Sequence, residues 1–340
     1  MGVVPTSWVA SKRTLRRLAV ALLVANVVII VTGGAVRLTA SGLGCPAWPR
    51  CTDESFVVHG ALGVHGAIEF GNRMLTFVLA AIAVATWLAA MRLSPRRGSL
   101  IWLTTLLALG IPAQAVLGGV TVLTDLNPWV VAGHLLLSLA MVGLAVVLVR
   151  RVDEEDGPPH STVPAPVSVL AKATFVVAWV VLYLGTVVTG SGPHAGDTDS
   201  PRTGLDPASV SQLHADFVFL LLGLTAGTAL ALRAVDAPDR TQRAARWLLV
   251  IELAQGLVGF TQYLTDLPIV LVGLHVLGAA LVSAAAAWLL LGLRDRSPQP
   301  PLPPPPTQRS EAEHALALTT SDPSALSADR SPSPAPKIRR

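Results

Sequence analysis

The chain alternates long apolar stretches with short polar ones. Eight apolar runs of about 20 residues lie near 15–36, 65–91, 100–122, 128–150, 168–190, 210–234, 243–264 and 268–293. Each is long enough to cross a hydrocarbon core of about 30 Å. In lipid every backbone N–H and C=O needs a partner within its own segment, so such runs predict helices. The ten-residue alternation of a membrane barrel is absent from them. The first run is too long for a signal-peptide core, and no small-residue cleavage site follows it, so it too is expected as a helix. The pattern therefore predicts an all-α membrane protein of eight transmembrane helices.

Composition agrees: 52% of the 340 residues are hydrophobic and 14% charged, against roughly a quarter charged in soluble domains. The net charge of +4 carries topology rather than nucleic-acid affinity, because the basic residues are scattered over short loops. Lys12, Arg13, Arg16 and Arg17, then Arg92, Arg96 and Arg97, then Arg150 and Arg151, and finally Arg233, Arg240, Arg243 and Arg246 fall on one side. The other side holds only Arg37, Arg50, Arg73 and Arg202. The positive-inside rule then predicts a multi-pass protein of the cell membrane with both termini cytoplasmic. From residue 294 onward the chain is rich in Pro, Ser and Ala, a composition that buries no core, and 294–340 is expected to be disordered.

The polar residues inside the spans repeat. Gln114, Asp125 and His134 are spaced eleven and nine residues apart, and so are Gln255, Asp266 and His275. Pro128 and Pro268 follow the two aspartates near the start of the next helix, where a missing N–H costs little. More loosely, Thr39-Ala-Ser41-Gly42 matches Thr189-Gly-Ser191-Gly192, with His65 and His214 lying 26 and 25 residues beyond the two threonines. Two homologous four-helix bundles in parallel repeat follow, over 15–150 and 168–293, joined by a cytoplasmic linker at 151–167.

Each even-numbered helix carries a histidine near its outer end: His65, His134, His214 and His275. His134 and His275 lie ~9 and ~10 Å below the prolines that open their helices. One such histidine alone is most often an interfacial hydrogen-bonding residue. Four in register suggest two imidazole pairs holding haem iron. Copper or zinc is disfavoured because no third Cys or carboxylate ligand clusters with them. His59, His160, His194 and His314 are assigned to solvent-exposed loops or tail, with His194 facing the same mouth.

Glu69 stands one turn after His65, and a carboxylate at that depth is a functional candidate. Arg73, one further turn on, either pairs with Glu69 or reaches a haem propionate. Asp216 and Glu252 are weaker candidates, and Gln114 and Gln255 are expected to hydrogen-bond within the bundles. The two cysteines, Cys45 and Cys51, lie on the outer side, as a disulfide closing the loop or as a pair exchanging with a partner.

The stretch TGGAVRLTASGLGCPAWPRC (32–51), followed by EFGNRM (69–74), resembles the haem A synthases, a likeness that covers roughly 15–293. The resemblance implies oxidation of the C8 methyl group of haem O to the formyl group of haem A for aa3-type cytochrome oxidase, in concert with a haem O synthase. It implies haem b as cofactor, His134 and His275 as ligands, Glu69 in the reaction and Cys45 with Cys51 as the first-loop pair. Many members have a histidine three residues after the glutamate, where this chain has Asn72; the corresponding place in the second half is Leu221. His65 and His214, seven residues earlier, retain the face and are the ligands expected on helices 2 and 6. The first half is then the substrate site and the second the haem b site. The rival readings are a di-haem electron carrier linked to quinone and, less favoured, a transporter.

Overall fold

The computed structural model describes residues 9–296. Eight helices long and apolar enough to cross a membrane account for almost all of them: α1 Lys12–Leu38, α2 Gly63–Met91, α3 Gly98–Leu123, α4 Pro128–Asp153, α5 Ala165–Ser191, α6 Pro207–Ala234, α7 Asp239–Leu264 and α8 Ile269–Gly292. The chain is a multi-pass membrane protein. Helix starts are set by local chemistry. Ser11 accepts from the Thr14 N–H ahead of α1. Asn127 does the same for Trp129 ahead of α4, and Asp206 for Ser209 ahead of α6, each with proline at the first helical position.

On the arginine-rich face, α1, α4 and α7 extend three or four residues beyond the apolar runs. The added residues are 12–14, 151–153 and 239–242. Hydropathy ends where the charges begin, but the helix does not, because long basic side chains keep their charges in water while the backbone stays helical.

The helices form two closed rings. In the first, α1 packs on α2, α2 on α3, α3 on α4 and α4 back on α1; in the second, α5 to α8 do the same. The rings meet through α1, α4, α5 and α8. At this seam small residues bring backbones close: Gly143 of α4 faces Ala287 of α8, and Ser283 Oγ donates to the Leu139 carbonyl at 2.7 Å. The repeat extends to backbone detail. Asp125–Leu126 and Asp266–Leu267 all have φ between 51° and 58°, a left-handed turn that is rare for leucine. In each copy the leucine N–H donates 2.8 Å to a carbonyl five residues back, of Thr121 and of Gln262.

The segment between the bundles is pinned. Arg151 reaches Glu154 (3.3 Å) and Asp156 (2.7 Å), and Arg97 meets Asp156 at 3.1 Å. His160–Ser161 pairs antiparallel with Arg294–Asp295. His160, assigned above to open solvent, is therefore half-buried in this two-residue ladder. Of 294–340, expected to be disordered, Arg294–Asp295 are ordered by this pairing, and residues from 297 onward, with His314, lie outside the described residues.

Candidate functional site

At the face opposite the arginines, the histidines take different settings. His134 is the seventh residue of α4, His275 the seventh of α8 and His214 the eighth of α6. In the ring order, α6 and α8 are diagonal neighbours, as are α2 and α4. Across the second bundle the His214 and His275 rings are neighbours in an edge-on relation, centroids 6.5 Å apart and planes at 74°. Glycines make room for them: Gly185 lies against the His214 ring and Gly259 against that of His275, with hypothetical Cβ atoms 3.3 and 3.4 Å from ring carbons. In the first bundle Gly118, the repeat partner of Gly259, lies in the same way against His134. The Nδ1 atoms of His134 and His275 are buried without a hydrogen-bond partner.

His65 differs. It is only the third residue of α2, and it is exposed. Its Nδ1 lies 2.9 Å from Ser41 Oγ. Ser41 Oγ also lies 2.9 Å from the Thr39 hydroxyl and 3.3 Å from the Thr39 carbonyl. The contact at Nδ1 orients the ring and leaves Nε2 outside this hydrogen bond. The spacing of the Thr–Ser motifs hid this difference in depth, because it counts through an irregular loop. Asn72 is not idle: its Oδ1 accepts from Thr32 Oγ1 at 2.8 Å. Leu221, its counterpart in the second half, is buried in the core.

Glu69 and Arg73 do pair, and they also hold the loop. Glu69, 6% exposed, accepts from the Cys45 N–H through Oε2 (2.6 Å) and from Arg73 Nε (3.1 Å) and Nη2 (2.6 Å) through Oε1. Arg73 further donates to the carbonyls of Cys45 (3.0 Å), Ala47 (3.1 Å) and Arg50 (3.0 Å). All five guanidinium N–H groups are thereby spent on protein acceptors. A propionate would have to displace one of them.

The loop so held is closed by a Cys45–Cys51 disulfide whose two residues are 0% and 1% exposed. Exchange needs a thiolate to reach a sulfur, which this burial obstructs. Within the loop Trp48 lies flat on α3 at Gly119, where a Cβ would overlap the indole. The sequence signalled the cysteines but not this plug over the first bundle.

The second half's loop is tied across to the first. Arg37, at the end of α1, donates to the carbonyls of His194 (2.7 Å) and Thr189 (3.0 Å). The Gly42 N–H donates to Gly196 O at 2.9 Å. His194 is half-buried, its Nε2 3.0 Å from the Leu267 carbonyl. It is a tie between loops rather than the solvent-exposed residue expected. Arg202 donates to the carbonyls of Gly192 (3.0 Å), Pro193 (3.0 Å) and Ser200, organising this loop much as Arg73 organises the first.

Gln114 donates to Ser138 Oγ (2.7 Å) and the His134 carbonyl (3.2 Å), bracing the helix that carries the histidine. Asp216 is exposed and accepts from Gln212 (2.7 Å).

The donor set fits haem in the second bundle. Two imidazoles bound to one metal from opposite sides, each at about 2 Å, hold their ring centroids about 6 Å apart. His214 and His275 have that separation without any rearrangement of their helices.

Comparison with known proteins gives the same direction. A family model described as cytochrome oxidase assembly protein matches residues 16–61 and 63–198, more than half of the chain. A haem A synthase of Geobacillus kaustophilus (strain HTA426) is 30% identical over 112 residues, covering 32% of this chain and 33% of that protein. That of Halalkalibacterium halodurans is 28% identical over 263 residues, 73% of this chain and 84% of the relative. That of Bradyrhizobium sp. (strain ORS 278) is 26% identical over 309 residues, covering 75% and 84%. The matches differ in reach: the chain spans only about a third of the length of the Geobacillus relative. With the family model matched over more than half of its length and the histidine-bearing bundles in place, the chain belongs to the haem A synthase family.

Proposed function

We propose that the chain is a haem A synthase. It oxidises the C8 methyl of haem O to a formyl group, and its product serves an aa3-type cytochrome oxidase. The observation that carries this reading is the neighbouring pair His214 and His275 inside the second bundle. Those two residues would hold haem b, and the first bundle would take haem O near His65 and His134. A haem held in the second bundle would supply one-electron transfer. Everything else falls to the chain's own residues. His65, oriented by Ser41, offers Nε2 to the substrate iron, and His134 offers a half-buried imidazole from the diagonal helix. The Cys45–Cys51 loop, clamped by Arg73 and Glu69 and carrying Trp48, covers that bundle and limits water. Glu69, paired with Arg73, places the negative end of an ion pair one turn from His65, where it favours positive charge developing on the substrate.

The arginine-rich face is read as cytoplasmic, with both termini there. The site then opens toward the other side of the cell membrane, and a haem O synthase in the same bilayer supplies the substrate. The Cys45–Cys51 disulfide is read as structural, given its burial.

The test is chromatography of haems extracted from cells expressing the full chain together with a haem O synthase. Haem A, or haem O hydroxylated at the methyl group, is the expected product. Haem b and haem O alone, with a bis-imidazole spectrum in the purified chain, would move the reading to a quinone-linked electron carrier.

A further inference from the structure

The face of α7 turned toward α6 and α8 carries Glu252, Gln255, Gly259 and Gln262, three or four residues apart. The matching positions of α3 are Ile111, Gln114, Gly118 and Thr121, so a carboxyl replaces an isoleucine at one step of the repeat. Glu252 is 3% exposed. It lies twelve residues from the end of α7 at Leu264, ~18 Å into the membrane. Its Oε1 accepts from Thr225 Oγ1 of α6 at 2.9 Å, while Oε2 is buried with no hydrogen-bond partner. One turn nearer the histidines, the Gln255 amide is pressed onto α8 at Gly278, three residues from His275. One further turn on, Gly259 touches the His275 ring. A polar stripe thus runs from mid-membrane to the histidine pair.

Among the described residues no charge of opposite sign forms an ion pair with this carboxyl. From α6 the group facing it is Thr225; His214, Asp216 and Arg233 of that helix lie two or more turns away along it. On α8 the titratable residue is His275, beyond Gln255. On α7 itself, Arg246 is six residues inward and exposed. A carboxylate left unpaired at this depth is costly, and functional residues are the usual reason for keeping one.

We propose that Glu252 is a proton-binding site coupled to the redox state of a haem held between His214 and His275, an inference that rests on the haem reading above. One electron released by oxidation of the haem O methyl and passed to that haem adds a negative charge in a low-dielectric region, which raises the proton affinity of a nearby carboxylate. Proton uptake from the aqueous phase then raises the share of Glu252 held as the neutral acid. When the electron leaves to a quinone-class acceptor, the proton leaves too. Thr225 holds the carboxyl in place through Oε1 and leaves Oε2 to carry the proton. The coupling is reciprocal, so the proton on Glu252 also favours the reduced centre.

The experiment is a redox titration of the purified full chain at several pH values, with reduced-minus-oxidised infrared difference spectra, on wild type, Glu252→Gln and Thr225→Val. In wild type the midpoint potential of the second-half haem should fall as pH rises, by at most about 59 mV per tenfold change in proton activity. Glu252→Gln should flatten the slope to the share that the propionates contribute, and should remove a protonated-carboxyl band that appears on reduction. Thr225→Val should keep the slope and shift the band, since the carboxyl loses one hydrogen bond. An equal slope in wild type and Glu252→Gln, with haem bands intact, would overturn the proposal while leaving the haem reading standing. If Glu252→Gln fails to fold, Thr225→Val decides, and an unshifted band counts against Glu252. A wild-type chain without haem absorption would defeat the haem reading itself, and this inference with it.

Discussion

Nδ1 of His65 lies 2.9 Å from Oγ of Ser41, and this contact singles out the one histidine of the four that sits in the open. A ligating imidazole is usually oriented by a hydrogen bond at its other nitrogen, and losing that partner typically costs 10–100-fold in metal affinity. Ser41→Ala should therefore weaken haem O binding by roughly tenfold or more, with the second-half haem spectrum unchanged. Equilibrium titration of the purified chain with haem O checks this. Unaltered affinity would remove His65 from the ligand set.

Glu69 and Arg73 are coupled through a contact of 2.6 Å. Glu69→Ala leaves a largely buried guanidinium uncompensated and the Cys45 N–H without its acceptor; breaking such a pair costs on the order of 3–5 kcal/mol. Glu69→Gln keeps the shape and an acceptor for Cys45, removes the charge and turns an amide N–H toward Arg73 in place of Oε1. The account predicts that Glu69→Gln retains both haem sites by absorption spectroscopy yet makes little or no haem A. Wild-type output from this variant would confine Glu69 to holding the loop.

On the opposite face, the Arg97 guanidinium, helped by Ser99 and Arg151, holds the Asp156 carboxyl down to about 2. A depressed carboxyl contributes stability that is present in full above its unfolded value and lost as pH falls through the folded one. The contribution should therefore fade between the ordinary value of 3.8 and about 2. Its size is modest, since the side chain is 41% exposed and screened by solvent. Asp156→Asn should be less stable than wild type at neutral pH, and the gap should close as pH drops through that window. Thermal unfolding in detergent at a series of pH values reads it, and a gap that widens on acidification would refute the assignment.

Much of this architecture can be read from the sequence because the bilayer enforces it. Apolar length sets the helices, and the Gln–Asp–His spacing sets the repeat down to a shared left-handed turn. The helix ends at Lys12 and Asp239 escaped because charge and helicity part company at an interface. The depth of His65 escaped because residue counting through the loop at 42–59 does not measure height. Nothing local to Arg37 announces that it reaches His194 and Thr189, and nothing in the disulfide loop announces that Trp48 lies on Gly119. These are contacts between segments far apart in the chain, made by side chains whose types suit many surroundings. Glu252 was visible as an intramembrane carboxyl, but its single hydrogen bond to Thr225 was not.

The central claim is that one haem sits between His214 and His275. The most direct measurement is the low-temperature electron paramagnetic resonance and visible spectrum of the oxidised, purified chain beside His214→Ala and His275→Ala. The account predicts a low-spin bis-imidazole signal in wild type that is lost or turned high-spin in both variants, while Asn72→Ala keeps it. A signal that survives both histidine substitutions would contradict the account.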